Sequence, residues 1–133
     1  HQFVVLPDED GNDVLHLKLL SRSLDSVFGA MYGIQQYRLY QMCMAKLLGF
    51  NVGKMSCDLT QVHIYTNQIE YAEEILTRSF GFDVDAYDIN RININKDLNT
   101  LDDLLTMQWS DFEINHPTVN KEPFVTPRPP MAA

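Results

Sequence analysis

The hydrophobic period of the chain changes near Ser26, and this switch restricts the fold more than any other feature. Before it, VLHLKLL alternates, with Leu15, Leu17 and Leu19 on one side and His16 and Lys18 on the other. That is the pattern of a strand buried on one face. After it, Ile34, Tyr37, Met44 and Leu48 fall near one helical stripe, and Gly49 stands where a C-terminal cap belongs. A long core helix from Ser26 to that cap is predicted. Upstream, QFVVL reads as a short buried strand and PDEDGND as a turn, so the first two strands form a hairpin. The Asp-rich turn lacks the ligand spacing and terminal bidentate Glu of a calcium loop, and no metal site is expected.

Further on, MSCDLTQVHIY restores strand character. Asn67 and Glu70 have capping-box spacing for a helix reaching about Arg78, closed by Gly81. DINRININ is another strand, Thr100 caps a short helix through Leu104, and SDFEI returns to an extended form. The result is an α+β domain over residues 1–115. A Pro-rich tail, 116–133, is expected to lack regular structure and to be able to fold over a neighbouring surface.

Composition narrows the function. At 133 residues one folding unit is expected, and no apolar run approaches the roughly 20 residues of a membrane span. A net charge of −8 argues against a nucleic-acid polymer, whose backbone needs clustered Lys and Arg. One Arg with hydroxyl and backbone donors can still hold a single phosphate. Cys43 and Cys57 form no CxxC pair or zinc half-site, and no secretory signal is evident, so a reduced, cytoplasmic setting is expected. The sequence opens at His1 rather than Met, as a fragment, a processed product or a chain lacking part of its N-terminal side would.

Three groups of residues can carry chemistry. Arg22 with Ser23 offers a guanidinium fork and a hydroxyl, which suit a phosphate monoester; a surface arginine at a strand end has the same sequence. His63 and Tyr65, two apart on a strand, share a face and can hydrogen-bond a sugar hydroxyl or merely satisfy each other. Asp25 sits at the helix entry, where capping explains it and acid–base work stays open. No G-x-S-x-G elbow, activated cysteine or glycine-rich phosphate loop is present.

SRSLDSVFG resembles the QRSxDxFLG segment of thymidylate synthases and deoxycytidylate hydroxymethylases, and Ile34 and Tyr37 continue it. Without a gap, Met44–Ala45, Val52–Gly53 and HIYTN at His63–Asn67 fall in that family's register; Asp111–Ile114 resembles its late strand, and Gln2–Phe3 its QF. The resemblance covers the C-terminal half of the usual enzyme. It implies a thymidylate synthase-like α+β fold with a mixed sheet packed against the long helix. It also implies that Arg22 and Ser23 grip a nucleotide 5′-phosphate, that His63 and Tyr65 bond the deoxyribose 3′-hydroxyl, and that Asp25 lies beside pyrimidine and folate. The implied partners are a pyrimidine nucleoside monophosphate and a second subunit or a complementary N-terminal chain.

Two departures stand beside the matches. The family reads the pyrimidine edge with Asn or Asp where this chain has Gly33, which has no side chain to bond a base. Its nucleophile, in a Pro-Cys-His motif shortly before QF, is expected upstream of His1. In the family that cysteine attacks C6 of the pyrimidine and makes C5 nucleophilic toward the methylene of 5,10-methylenetetrahydrofolate. GDTH is here TQVH, and the ending is TPRPPMAA. The resemblance implies a dUMP or dCMP C5 methyl- or hydroxymethyltransferase lacking its nucleophile segment. The alternative is an inactive relative with a nucleotide-binding, regulatory or structural role.

Overall fold

Strands β1 (Gln2–Pro7) and β2 (Asp13–Ser21) form the expected antiparallel hairpin, in register from Gln2 opposite Lys18 to Pro7 opposite Asp13. The computed structural model describes residues 1–79, 92–114 and 123–130. At the turn, the Asp8 carboxylate accepts from the backbone N–H groups of Asp10 (3.0 Å) and Asn12 (2.8 Å). Gly11 supplies the left-handed residue, at φ 81°. The alternation of β2 is realised, because Leu15, Leu17 and Leu19 are all buried. Each contributes about 1.5–3 kcal/mol of apolar burial. Among the described residues β1 is an edge strand, flanked by β2 alone. Val5 and Leu6 therefore stay exposed, and QFVVL is not the buried strand its composition suggested.

The two-residue strand β3 (Leu24–Asp25) precedes helix α1 (Gly29–Leu48). The helix begins at Gly29 rather than Ser26, because the Asp25 carboxylate takes the Val27 and Phe28 N–H groups and closes a turn ahead of it. Gly49 ends it in the left-handed conformation, φ 75°, its N–H directed to the carbonyls of Ala45 and Lys46. The buried residues of α1 are Gln41, Cys43 and Ala45, whereas Leu48 is exposed. At about 100° per residue, Gln41 and Ala45 fall on the expected stripe, with a polar residue at its centre, while Cys43 is buried on the opposite side of the helix.

Strand β4 (Asn51–Leu59) runs parallel to β2, giving a mixed sheet of order β1-β2-β4. Parallel neighbours need a long crossover, and α1 provides it. The segment read as one strand is interrupted: β5 (Val62–His63) pairs with β3 instead. After a short 3-10 turn, Thr66–Gln68, comes α2 (Ile69–Ser79). Asn67 donates its side-chain amide to the Pro130 carbonyl. Gly81, expected to close α2, lies outside the described residues, as do the first residues of DINRININ. The remainder of that strand is β6 (Ile92–Ile94), antiparallel to β7 (Phe112–Ile114). Between them α3 (Leu101–Leu105) is capped by Thr100, with Asp103 completing the capping box. The architecture is α+β, a mixed sheet and a long helix packed together.

Of the tail, residues 123–130 are described and lie against α2. Phe124 stacks on Tyr71 (4.7 Å, 19°), and the Val125 and Thr126 N–H groups donate to the Glu74 carboxylate at 2.9 and 2.7 Å. Arg128 sits over the Phe28 ring. Among the described residues no helix is long and apolar enough to cross a membrane.

Candidate functional site

The candidate residues lie on two adjacent parallel segments. Leu17 pairs with Met55, Ser21 with Leu59, Leu24 with Val62 and Asp25 with His63, a single register carried across the break between β2 and β3. Backbone bonds from Thr60 N to the Ser21 carbonyl (3.0 Å) and from Leu24 N to the Gln61 carbonyl (2.9 Å) hold the intervening stretch. Arg22 and Ser23 occupy that stretch and face solvent. Arg22 has no hydrogen bond or ion pair among the described residues, which leaves its whole fork of donors open. Ser23 contributes its carbonyl to the Ser21 hydroxyl (3.1 Å).

At the other end of the segment, the half-buried His63 and the exposed Tyr65 meet edge to face, ring centroids 4.9 Å apart at 90°. β5 stops at His63, so the pair is made by the turn toward α2 rather than by strand alternation. The His63 carbonyl is fixed by Ser26, through both its N–H (2.9 Å) and its hydroxyl (3.1 Å).

Asp25 is held from two directions. One oxygen accepts from Val27 N (2.9 Å) and Phe28 N (3.4 Å), the other from Gln68 Nε2 (3.1 Å). Burial pushes its carboxyl up, but these bonds, with a further one from Gly29 N–H, outweigh burial and leave it below the usual aspartate range. It is a bound, ionised carboxylate at neutral pH. Gln68 and Ser26 were not singled out by sequence reasoning. Gln68 lies in the polar run TNQIE and resembles a surface residue; only the fold buries it, to 1% exposure.

Gly33 lies in the first turns of α1, and a Cβ there would meet nothing within 4 Å. Space for a larger side chain exists, but no side chain fills it. One helical turn further, the Tyr37 ring contacts His1 (5.7 Å), so the N-terminal residue rests on the helix that carries Gly33. Neither cysteine is a prepared nucleophile. Burial pushes the Cys43 thiol up, and burial together with Asp58 pushes up that of Cys57.

Two concave regions lie elsewhere. One, of about 1220 Å³, runs between the Asp8–Asp10 turn and His16, Arg38 and Lys54; the other, about 650 Å³, lies between α2 and Val125–Thr126. None of Arg22, Ser23, Asp25, Gly33, His63 and Tyr65 lines either region. Arg22, Ser23, Asp25 and His63 lie along the β2–β3 and β5 segments, the first two exposed and the last two half-buried, while Gly33 sits on α1 and Tyr65 follows β5.

A family model for thymidylate synthase matches residues 1–123, and the chain belongs to the thymidylate synthase family. It is similar to the thymidylate synthase of Streptococcus sanguinis, 41% identical over 69 residues that make up 52% of this chain and 25% of that protein. The thymidylate synthase of Streptococcus suis is 40% identical over 70 residues, 53% of this chain and 25% of the relative. That of Mycoplasma mobile is 28% identical over 112 residues, 81% of this chain and 36% of the relative. The chain thus spans about a quarter to a third of the length of these relatives.

Proposed function

We propose that residues 1–133 form the nucleotide-holding part of a thymidylate synthase-like C5-transferase acting on dUMP or dCMP. In this reading the nucleophilic cysteine comes from outside these residues. The observation that carries the reading is the unbroken β2–β3 against β4–β5 register. It puts Asp25 opposite His63, with Arg22 and Ser23 just ahead of Asp25 on the same segment. Arg22 and Ser23 take the phosphate, His63 and Tyr65 the sugar hydroxyl, and Asp25 the ring region. The exposure of Arg22 and Ser23 suits a site completed by further protein, either a second subunit of a homodimer or a complementary N-terminal chain.

5,10-Methylenetetrahydrofolate, when bound, would supply the one-carbon unit. The residues present fit it at one point: Gln68 is the one described donor to Oδ2 of Asp25, leaving acceptor capacity there for a ring N–H.

A second reading, a catalytically silent nucleotide-binding relative, is favoured by Gly33, which offers no group to distinguish uracil from cytosine. Both readings require nucleotide binding, and calorimetric titration of dUMP, dCMP and inorganic phosphate tests it. A hydrogen bond to a charged group contributes about 1.5–3 kcal/mol, so Arg22→Ala is expected to weaken nucleotide binding roughly ten- to a hundredfold. His63→Ala is expected to weaken it about fivefold. No binding of either nucleotide by the unaltered chain, alone or with a complementary N-terminal segment, overturns both readings.

A further inference from the structure

We propose that Gln68 is the positioning residue of Asp25, holding its carboxylate in one orientation by joining the turn after β5 to the turn before α1. The proposal rests on reading Asp25 as a ligand-facing group. Gln68 is 1% exposed, and its side-chain N–H₂ reaches Oδ2 of Asp25 at 3.1 Å while its backbone N–H donates to the Tyr65 carbonyl at 2.9 Å. One residue thus connects the Tyr65 backbone with the Asp25 side chain.

The other half of the amide makes the case specific. Oε1 of Gln68 is buried and has no hydrogen-bond partner among the described residues. A buried, unpaired carbonyl costs stability, and an apolar side chain of similar volume would avoid that cost. The bond to Asp25 is the one side-chain bond that offsets it. With Val27 and Phe28 N–H groups on Oδ1, both carboxylate oxygens are pinned from separate parts of the chain. The depressed Asp25 carboxyl, opposed by burial but favoured by these donors, agrees with that geometry. Across the ladder its pair is His63, and Arg22 lies three residues earlier on its own segment.

The test follows the Asp25 carboxyl carbon by NMR as pH is lowered, in the full chain without nucleotide, with His63 monitored in the same samples. In Gln68→Leu the Asp25 midpoint is expected to rise toward that of an ordinary aspartate, with the melting temperature preserved. An unchanged midpoint overturns the proposal. Should Gln68→Leu not fold, Gln68→Glu serves instead: two adjacent carboxylates titrate in coupled steps, and a single Asp25 step at the unaltered midpoint overturns the proposal equally. These readouts need no ligand. Failure of the unaltered chain to bind dUMP or dCMP would remove the nucleotide reading and leave the Asp25–Gln68 result standing.

Discussion

Gln41 shows how one residue governs a junction between elements. It is fully buried, and its N–H₂ donates to the carbonyls of Leu15 (2.7 Å), Gly53 (3.3 Å) and Lys54 (3.3 Å). Its oxygen accepts from Arg38 (2.7 Å), whose guanidinium also reaches the Gly53 carbonyl (2.7 Å). The Gly53 carbonyl keeps Arg38 as a second donor, so the Leu15 and Lys54 carbonyls depend most on the Gln41 amide. Gln41→Leu keeps the volume and removes every bond that Gln41 makes, leaving Arg38 on the Gly53 carbonyl. Unsatisfied buried groups cost about 1–3 kcal/mol each, and a loss of about 3 kcal/mol in urea unfolding is expected, partly relieved where water reaches Lys54. Neither Gln41 nor Gln68 was legible as buried in the sequence, since a glutamine's burial depends on partners far along the chain. Arg22 and His63 were legible as types, because guanidinium and imidazole chemistry travels with the residue.

At the scale of elements, the β2–β4 ladder contains an irregularity on which the β3–β5 register depends. Leu15 pairs with Val52 but Leu17 with Met55, so His16 faces both Gly53 and Lys54, a bulge with the extra residue in β4. His16 Nδ1 accepts from the Lys54 N–H that the bulge frees (3.1 Å). Without the bulge, that residue would take a place in the ladder, every later pair would slip by one and Asp25 would face Val62 instead of His63. Gly53 is required there, because an added Cβ would lie 3.0 Å from the His16 ring and 3.0 Å from the Leu15 carbonyl oxygen. Gly53→Ala is expected to lose about 1–3 kcal/mol by chemical denaturation. Gly33→Ala provides the contrast. Its Cβ meets nothing, so the helix is expected to gain about 0.5–1 kcal/mol in the same measurement. The hairpin, the Gly49 cap and the Thr100 capping box were legible because each is written within a few residues.

At the scale of the molecule, the strap of residues 123–130 joins the C-terminal part of the chain to α2 and to the entry of α1. Its anchor is Glu74, 15% exposed at the side chain and paired with Arg78 at 2.6 Å. Burial pushes the Glu74 carboxyl up, but the Thr126 hydroxyl and N–H, the Val125 N–H and Arg78 bring it down to about 2. A carboxyl depressed on folding stabilises above its unfolded value, near 4.5, and that contribution disappears as pH falls through about 2. Acidification from pH 5 to pH 2 is therefore expected to lower the melting temperature and release the Val125 and Thr126 amides to hydrogen exchange. Glu74→Gln, which lacks the titrating charge, is expected to flatten that part of the pH profile. By itself the sequence determined the β1–β2 hairpin, the long helix with its Gly49 cap, the Thr100 capping box, and the kinds of residue available to hold a phosphate and a sugar. Those features follow from period and nearest-neighbour chemistry. The tertiary structure alone decided which glutamines are buried, where the strap lies, and that Asp25 stands opposite His63. Those outcomes depend on one inserted residue in β4 and on partners tens of residues apart, which no local pattern records.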